Sequence, residues 1–299
     1  MSVFITNTAP QLLLRDMSIV WSNWNTVPLL LDSVYERRIT KHPFEIVQEM
    51  GTLPSATPKP QSSAGTILNM APGYQAAYTP IVYTSFFQMS REMIDDNQYA
   101  SEWPQQNKNL RNSMESNMNI QAMMPFNNGF DPSKPLGDGV PLFSTQHPTA
   151  VGVQANTFTN FVGLNLSSLK ELITISRFTT NYAGQNINIQ PHSLIINPNL
   201  EFDAREILGS PDRPDTANRS VNSLYTGSYI PGGCQPNPFL SIPTFWMFTT
   251  NQEPGNLWYD RDSIEITWQG DQNVDVMTFK GRNRFANGPA NWRANYGSA

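Results

Sequence analysis

Between Ser101 and Pro125 nothing in the sequence interrupts a helix, and a helix of that length has to be laid against something. Ser101 is placed to cap it, Glu102 suits the positive end of the helix dipole, and Pro104 falls where a missing N–H is tolerated. Leu110, Met114 and Met118 repeat at steps of four and make one narrow apolar stripe flanked by Asn, Gln and Ser. The pattern predicts a strut that rests on a sheet with its other side in water. Upstream, Tyr83–Met89 mixes apolar and polar positions and reads as a strand, giving way at Ser90 to an acid-led helical run.

Two motifs follow the strut. Phe126-Asn127-Asn128-Gly129-Phe130 comes first, then Asp138-Gly139-Val140-Pro141-Leu142-Phe143-Ser144-Thr145-Gln146-His147-Pro148. By residue type, Asp138-Gly139 is a turn, Pro141 fixes the backbone, and Leu142-Phe143 plug a core. His147 has no acidic partner nearby in the sequence and is read as structural.

Ser90-Arg91-Glu92, the helix, the F-N-x-x-F turn and the D-G-x-P-L-F-S-x-x-H-P loop come in an order that resembles the major head subunits of tailed bacteriophages, particularly the Mu-like class. The resemblance runs over roughly residues 43–297. It implies an α+β fold with an N-terminal arm (1–42), an extended E-loop hairpin (43–88), a P-domain (89–127 and 271–299) with a spine helix at 101–124 and a β-sheet, and an A-domain of mixed sheet plus helices (128–270).

The rest of the chain can be taken in order. Leu12–Leu14, Trp21, Trp24, Leu29–Leu31 and Tyr35 are apolar positions scattered by Asn, Ser and Pro, so residues 1–42 read as an extended arm with a short helical piece. Pro43–Met50 reads as a strand and Gly65–Gln88 as a second. Between them, Thr52–Gly65 has three prolines and almost no apolar content, so it is expected to be the projecting tip of a long hairpin. Ser168 and Glu171 form a capping box for a helix with Leu169, Leu172 and Ile173 on one face, ending near Gly184. Ser193–Ile196 reads as a short buried strand. Asn197 caps the next helix, with Pro198 first and Leu200, Ala204, Ile207 and Leu208 on one face, until Gly209. Ser210–Pro238 reads as a long surface loop, Phe245–Phe248 as a buried strand, and Ser263–Trp268 and Val274–Lys280 as strands joined at Gly270-Asp271. The ending Asn291-Trp292-Arg293-Ala294-Asn295-Tyr296-Gly297 resembles the family's W-R-x-x-Y close and is expected to tie the tail to the sheet under the strut.

Charged residues make up 14% of the chain, against about 25% in an ordinary soluble protein, which suits copies that pack densely against one another. A net charge of −5 and the lack of any basic run argue against electrostatic nucleic-acid binding. Cys234 is the single cysteine, so no intrachain disulfide forms, and its setting has no activating base. No secretory leader or membrane-length apolar run is present. Phosphate-loop, dinucleotide, nucleophile-elbow and zinc motifs are missing, and His42, His147 and His192 lack ligand spacing. The acidic pairs Asp95–Asp96, Glu201–Asp203 and Asp260–Asp262 read as solvated turns rather than a hydrolase dyad. No enzyme activity, metal or cofactor is expected.

By resemblance, the chain is expected to assemble with itself into pentamers and hexamers of an icosahedral head. That head encloses double-stranded DNA without sequence-specific binding, belongs to the virion, and is built in the host cytoplasm without a membrane. The arm begins almost at Met1, so scaffolding is expected either to come from a separate protein or to be dispensable, with a portal and cement proteins as further partners. Candidate intersubunit contacts are Trp21 and Trp24 on the arm, and Pro54, Lys59, Ile67, Leu68 and Met70 on the hairpin. Lys59 sits where some relatives carry a cross-linking lysine, but nothing in the sequence identifies the asparagine and glutamate that such a bond needs. Two alternatives stay open: an encapsulin-like nanocompartment shell, and a polar, Asn-rich enzyme or carbohydrate-binding module.

Overall fold

The strut runs from Trp103 to Asn127 as helix α1, in a computed structural model that describes residues 28–53, 55–68, 73–92, 103–212, 220–271 and 275–299. The expected cap, Ser101, lies outside the described residues. Leu110, Met114 and Met118 are buried, and the stripe continues through Ala122, Met123 and Phe126. At its other end α1 passes through Pro125 instead of stopping before it. Proline leaves the Gln121 carbonyl without its helical donor, and the Asn287 side chain, from a strand of the sheet beneath, donates to that oxygen at 2.9 Å. One residue further on, the Tyr35 hydroxyl donates to the Ala122 carbonyl at 2.6 Å. Side chains distant in sequence finish the helix end.

Beneath α1 lies a four-stranded sheet of β1 (Glu36–Ile39), β4 (Ile81–Ser90), β10 (Asn256–Asp271) and β11 (Val276–Pro289), ordered β1-β10-β11-β4. β10 and β11 form an antiparallel ribbon, of which the expected strand Ser263–Trp268 and the described part of the expected strand Val274–Lys280 are only the outer part; Val274 lies outside the described residues. Register shifts between Asp260 and Glu265 break the period-2 alternation that would have joined the inner part to it. Antiparallel β4 pairs from Ile81 opposite Phe285 to Ser90 opposite Val276, and β1 adds to β10 in parallel. Gly281 marks the crossing of helix and sheet: a Cβ there would lie 3.2 Å from Met114 Cγ and 3.3 Å from Leu110 Cγ.

A two-stranded hairpin, β2 (Glu45–Gln48) with β3 (Gln75–Tyr78), precedes β4. The expected continuous strand Gly65–Gln88 is split at Pro80, which has no N–H to give to a ladder. Tyr78 and the partly buried Val47 and Ala76 pack with Leu257, Tyr259 and Ala286 in a small satellite cluster apart from the main core.

The second sheet has the order β12-β9-β7-β8, from β7 (Pro191–Ile196), β8 (Cys234–Pro236), β9 (Trp246–Thr250) and β12 (Asn295–Ser298). The tail joins this sheet through β9 and not the one under the strut, because Asn295–Ser298 finds its backbone partners on Trp246–Thr249. Helix α2 (Leu166–Arg177) buries Leu169, Leu172 and Ile173 as expected, but its cap is Asn165. Asn165 accepts from the Ser168 backbone at 2.7 Å and the Ser168 hydroxyl accepts from the Asn165 backbone at 3.0 Å, so Ser168 is the inner member of the box. The helix stops at Arg177, and Gly184 belongs to a separate turn at φ +86°. Asn197 caps a 3₁₀ turn at Pro198–Leu200 that continues into α3 (Glu201–Gly209), with Ala204 and Ile207 buried. Within Ser210–Pro238, expected as loop throughout, lie the short helix α4 (Ser223–Thr226) and β8, whose parallel pairing with β7 no local pattern announces. Side chains from α1, α2, α3 and both sheets share one continuous core.

Candidate functional site

The F-N-x-x-F turn works as a junction between α1 and the second sheet. Phe126 is fully buried, and the Asn127 side chain donates to the Phe239 carbonyl at 3.0 Å while accepting from the Ser241 N–H at 2.9 Å. Gly129 is required by the approach of Phe143, whose ring would stand 2.6 Å from an added Cβ. Phe143 then stacks on Phe130 with centroids 4.9 Å apart.

The loop that follows leads into a buried polar cluster. Gly139 takes φ +86°, which lets the chain reverse. That reversal brings Asp138 to His147, nine positions later, with Oδ2 2.6 Å from Nδ1. Both side chains are buried, so the expectation that His147 lacks an acidic partner is corrected: the partner is in its own loop, delivered by the turn. On the other side of the ring, Nε2 lies 3.2 Å from the Asn156 carbonyl oxygen. The amide's orientation is fixed, because Asn156 Nδ2 donates to the Leu142 carbonyl at 2.7 Å and to the Asn295 carbonyl at 3.0 Å, while Oδ1 accepts from the Ser144 N–H at 2.9 Å. His147 therefore faces acceptors on both nitrogens, and it holds the loop, β5 (His147–Thr149) and the tail together.

Trp292 and Arg293 complete the cluster. The His147 ring stacks on Trp292 at 4.3 Å, and the Arg293 guanidinium sits 4.5 Å from the Trp292 ring centroid. Arg293 is 1% exposed; its Nη1 donates to Glu49 at 3.1 Å, beyond the end of β2. Its Nε donates to the Thr180 carbonyl at 3.0 Å, and Nη2 is buried with no partner among the described residues. A cavity of about 420 Å³ lies here, lined among others by Glu49, Gln75, Asp138, Trp292 and Arg293.

Such an arrangement cross-links segments; with both ring nitrogens occupied, His147 has no free nitrogen to offer as a base. Glu201 pairs with Arg205, Asp260 with Arg37, and Asp262 with Arg282, each in an ion pair at 3.0 Å or less; Asp95 and Asp96 lie outside the described residues. Among the described residues no group of His, Cys, Asp or Glu is placed to hold a metal ion. Burial pushes the Cys234 thiol up to about 11, so it stays protonated at neutral pH.

Of the candidate intersubunit residues, Lys59 stands exposed on the tip, Ile67 stands exposed just past it and Leu68 is half-buried; Trp21, Trp24, Pro54 and Met70 lie outside the described residues. Ile67 is 89% exposed. Where the tip begins, the Gln185 side chain donates to Ser55 Oγ at 3.4 Å, so this part of the loop touches its own subunit. Sequence reasoning missed Phe44, Ile46, Met50 and Leu53, exposed apolar side chains around β2. The alternation within Pro43–Met50 carried that signal, since one face of such a strand has to point away from the body.

Residues 73–297 match the family model described as phage capsid protein. Among solved structures, the chain is similar to one titled for Mycobacterium phage Adephagia, with TM-score 0.60 and 11% identity over 100% of this chain and 98% of that one. It is similar to one titled for Microbacterium phage Oxtober96, with TM-score 0.59 and 10% identity over 100% and 99%. A third is the SrpI encapsulin complex of Synechococcus elongatus, with TM-score 0.56 and 10% identity over 99% and 95%. No curated protein sequence matches the chain.

Proposed function

As the chain belongs to the phage capsid protein family, we propose that its copies close into an icosahedral head as pentamers and hexamers around double-stranded DNA. It is a major capsid protein, a component of the virion shell. The observation that carries the reading is the family match over residues 73–297, which takes in the strut, the second sheet, three of the four strands beneath the strut and the tail. The hairpin, with apolar Ile46, Met50, Leu53 and Ile67 turned outward, is the contact that reaches a neighbouring copy, and the Trp21 and Trp24 arm lies along another. Low charge density limits repulsion between subunits at close spacing. Assembly in the host cytoplasm draws on a separate scaffolding protein and a portal, with cement proteins on the finished shell. The protein acts through contacts and not through catalysis.

Expression of the full chain with its scaffold and imaging of the product tests this. Closed shells are the expected outcome, and a stable monomer at high concentration overturns it. The likeness to an encapsulin complex favours a second reading, a nanocompartment shell around a protein cargo. Particles isolated from infected or lysogenic cells separate the two by content, DNA against protein.

A further inference from the structure

The β2–β3 hairpin is gripped on both of its strands. Past β2, Glu49 pairs with Arg293 at 3.1 Å. On β3, the Gln75 backbone lies so close to Gly137 that an added Cβ would stand 2.0 Å from the Gln75 carbonyl oxygen. The two grips belong to one circuit: Gly137 precedes Asp138, Asp138 bonds His147, His147 stacks on Trp292, and the Arg293 guanidinium sits against the same indole. The hairpin also rests on the satellite cluster around Tyr78, on Tyr74, whose ring meets Tyr182 edge-on at 5.6 Å and whose hydroxyl donates to the Pro148 carbonyl, and on the Thr40 hydroxyl, which donates to Glu45. Glu49 is the carboxylate that pairs with Arg293, a side chain only 1% exposed. Lifting the hairpin would take that carboxylate away from the guanidinium.

We propose that Glu49, Arg293 and the Gly137-Asp138 turn form a clasp that sets the angle of the hairpin to the body and couples it to the packing of the C-terminal segment. A hairpin held at two points in this way has a docked position and, once Glu49 is withdrawn, a released one. The clasp lies within a single subunit and is tested on the unassembled full chain, so its failure leaves the proposed shell untouched.

The test is hydrogen exchange at the amides of Glu45–Gln48 and Gln75–Tyr78, with those of Trp246–Thr250 as an internal reference. Glu49 is 27% exposed, so solvent screens part of the loss and Glu49→Gln is expected to speed hairpin exchange by about tenfold, with the reference strand unchanged. Gly137→Ala should do the same from the other strand, and the double variant should exceed the larger single effect by little. In an Arg293→Met background, which removes the buried cation, Glu49→Gln should add nothing. Unchanged hairpin exchange in Glu49→Gln, or a rise shared equally by Trp246–Thr250, overturns the clasp. Should Gly137→Ala fail to fold, the Glu49→Gln and Arg293→Met pair decides alone.

Discussion

His147 lies flat on Trp292, with ring centroids 4.3 Å apart and planes within 6° of parallel. The stack ties the loop after the strut to the end of the chain. Trp292→Ala removes one of its members from a site 2% exposed, and the cost expected for a buried tryptophan is about 3–5 kcal/mol. Because Trp292 Nε1 makes no hydrogen bond among the described residues, Trp292→Phe should cost clearly less. Urea unfolding of both variants checks this; a wild-type midpoint for Trp292→Ala would make the tail peripheral.

Asp138→Ala leaves His147 buried with one acceptor gone. Leaving a buried polar group without its hydrogen-bond partner typically costs about 1–3 kcal/mol, and the same unfolding measurement reads it. A loss below that of an ordinary surface substitution would mean that the loop is held by Leu142 and Phe143 alone.

Gly129→Ala drives a methyl group against the Phe143 ring, 2.6 Å away before any adjustment. The expected loss is about 1–3 kcal/mol, the usual cost of overpacking. Thermal unfolding decides, and a neutral result would show that the Phe130–Phe143 stack shifts freely.

The tip of the hairpin should be dispensable for folding and required for particles. Residues 55–67 are exposed, and halving a flexible loop changes its closure term by only about 0.6 kcal/mol. Replacing Ser55–Ser63 by Asn-Gly should leave the thermal midpoint of the subunit in place and abolish particles seen by electron microscopy. Normal particle yield would make the tip an ordinary loop.

Cys234 predicts an alkaline loss of stability. Burial raises its folded-state pKa from 9.0 to about 11. Below pH 9 both states hold the proton and stability is independent of this group. Between about 9 and 11 the unfolded chain releases a proton that the folded chain keeps, so stability falls as pH rises through that window. Cys234→Ser should flatten the slope there; an unchanged slope would show that the thiol ionises alike in both states.

What was legible in the sequence was what is local. The Leu110–Met114–Met118 stripe, the Asn197 cap and the Asp138-Gly139 turn each depend on neighbours within a few positions, and each is found where the pattern puts it. What was missed depends on partners elsewhere. Pro125 stays helical because Asn287 serves Gln121, and β8 is a strand because β7 lies beside it. The tail enters the second sheet because β9 offers an edge. His147 was misjudged on a shorter scale: its acid was nine residues away, but a list of residues does not show that a glycine at φ +86° folds the loop back on itself.

The pairing of Glu36–Ile39 with Leu257–Asp260, and of Ile81–Ser90 with Val276–Phe285, also sets a clock. A ribosome delivers the early strands long before their partners, so the sheet that carries the strut cannot close until Val276–Phe285 has been made. A half-synthesised subunit has a hairpin to offer but no platform to receive one. Competence to join a lattice is therefore acquired only once Val276–Phe285 has been made, and chains cut short of it are poor substrates for a growing shell.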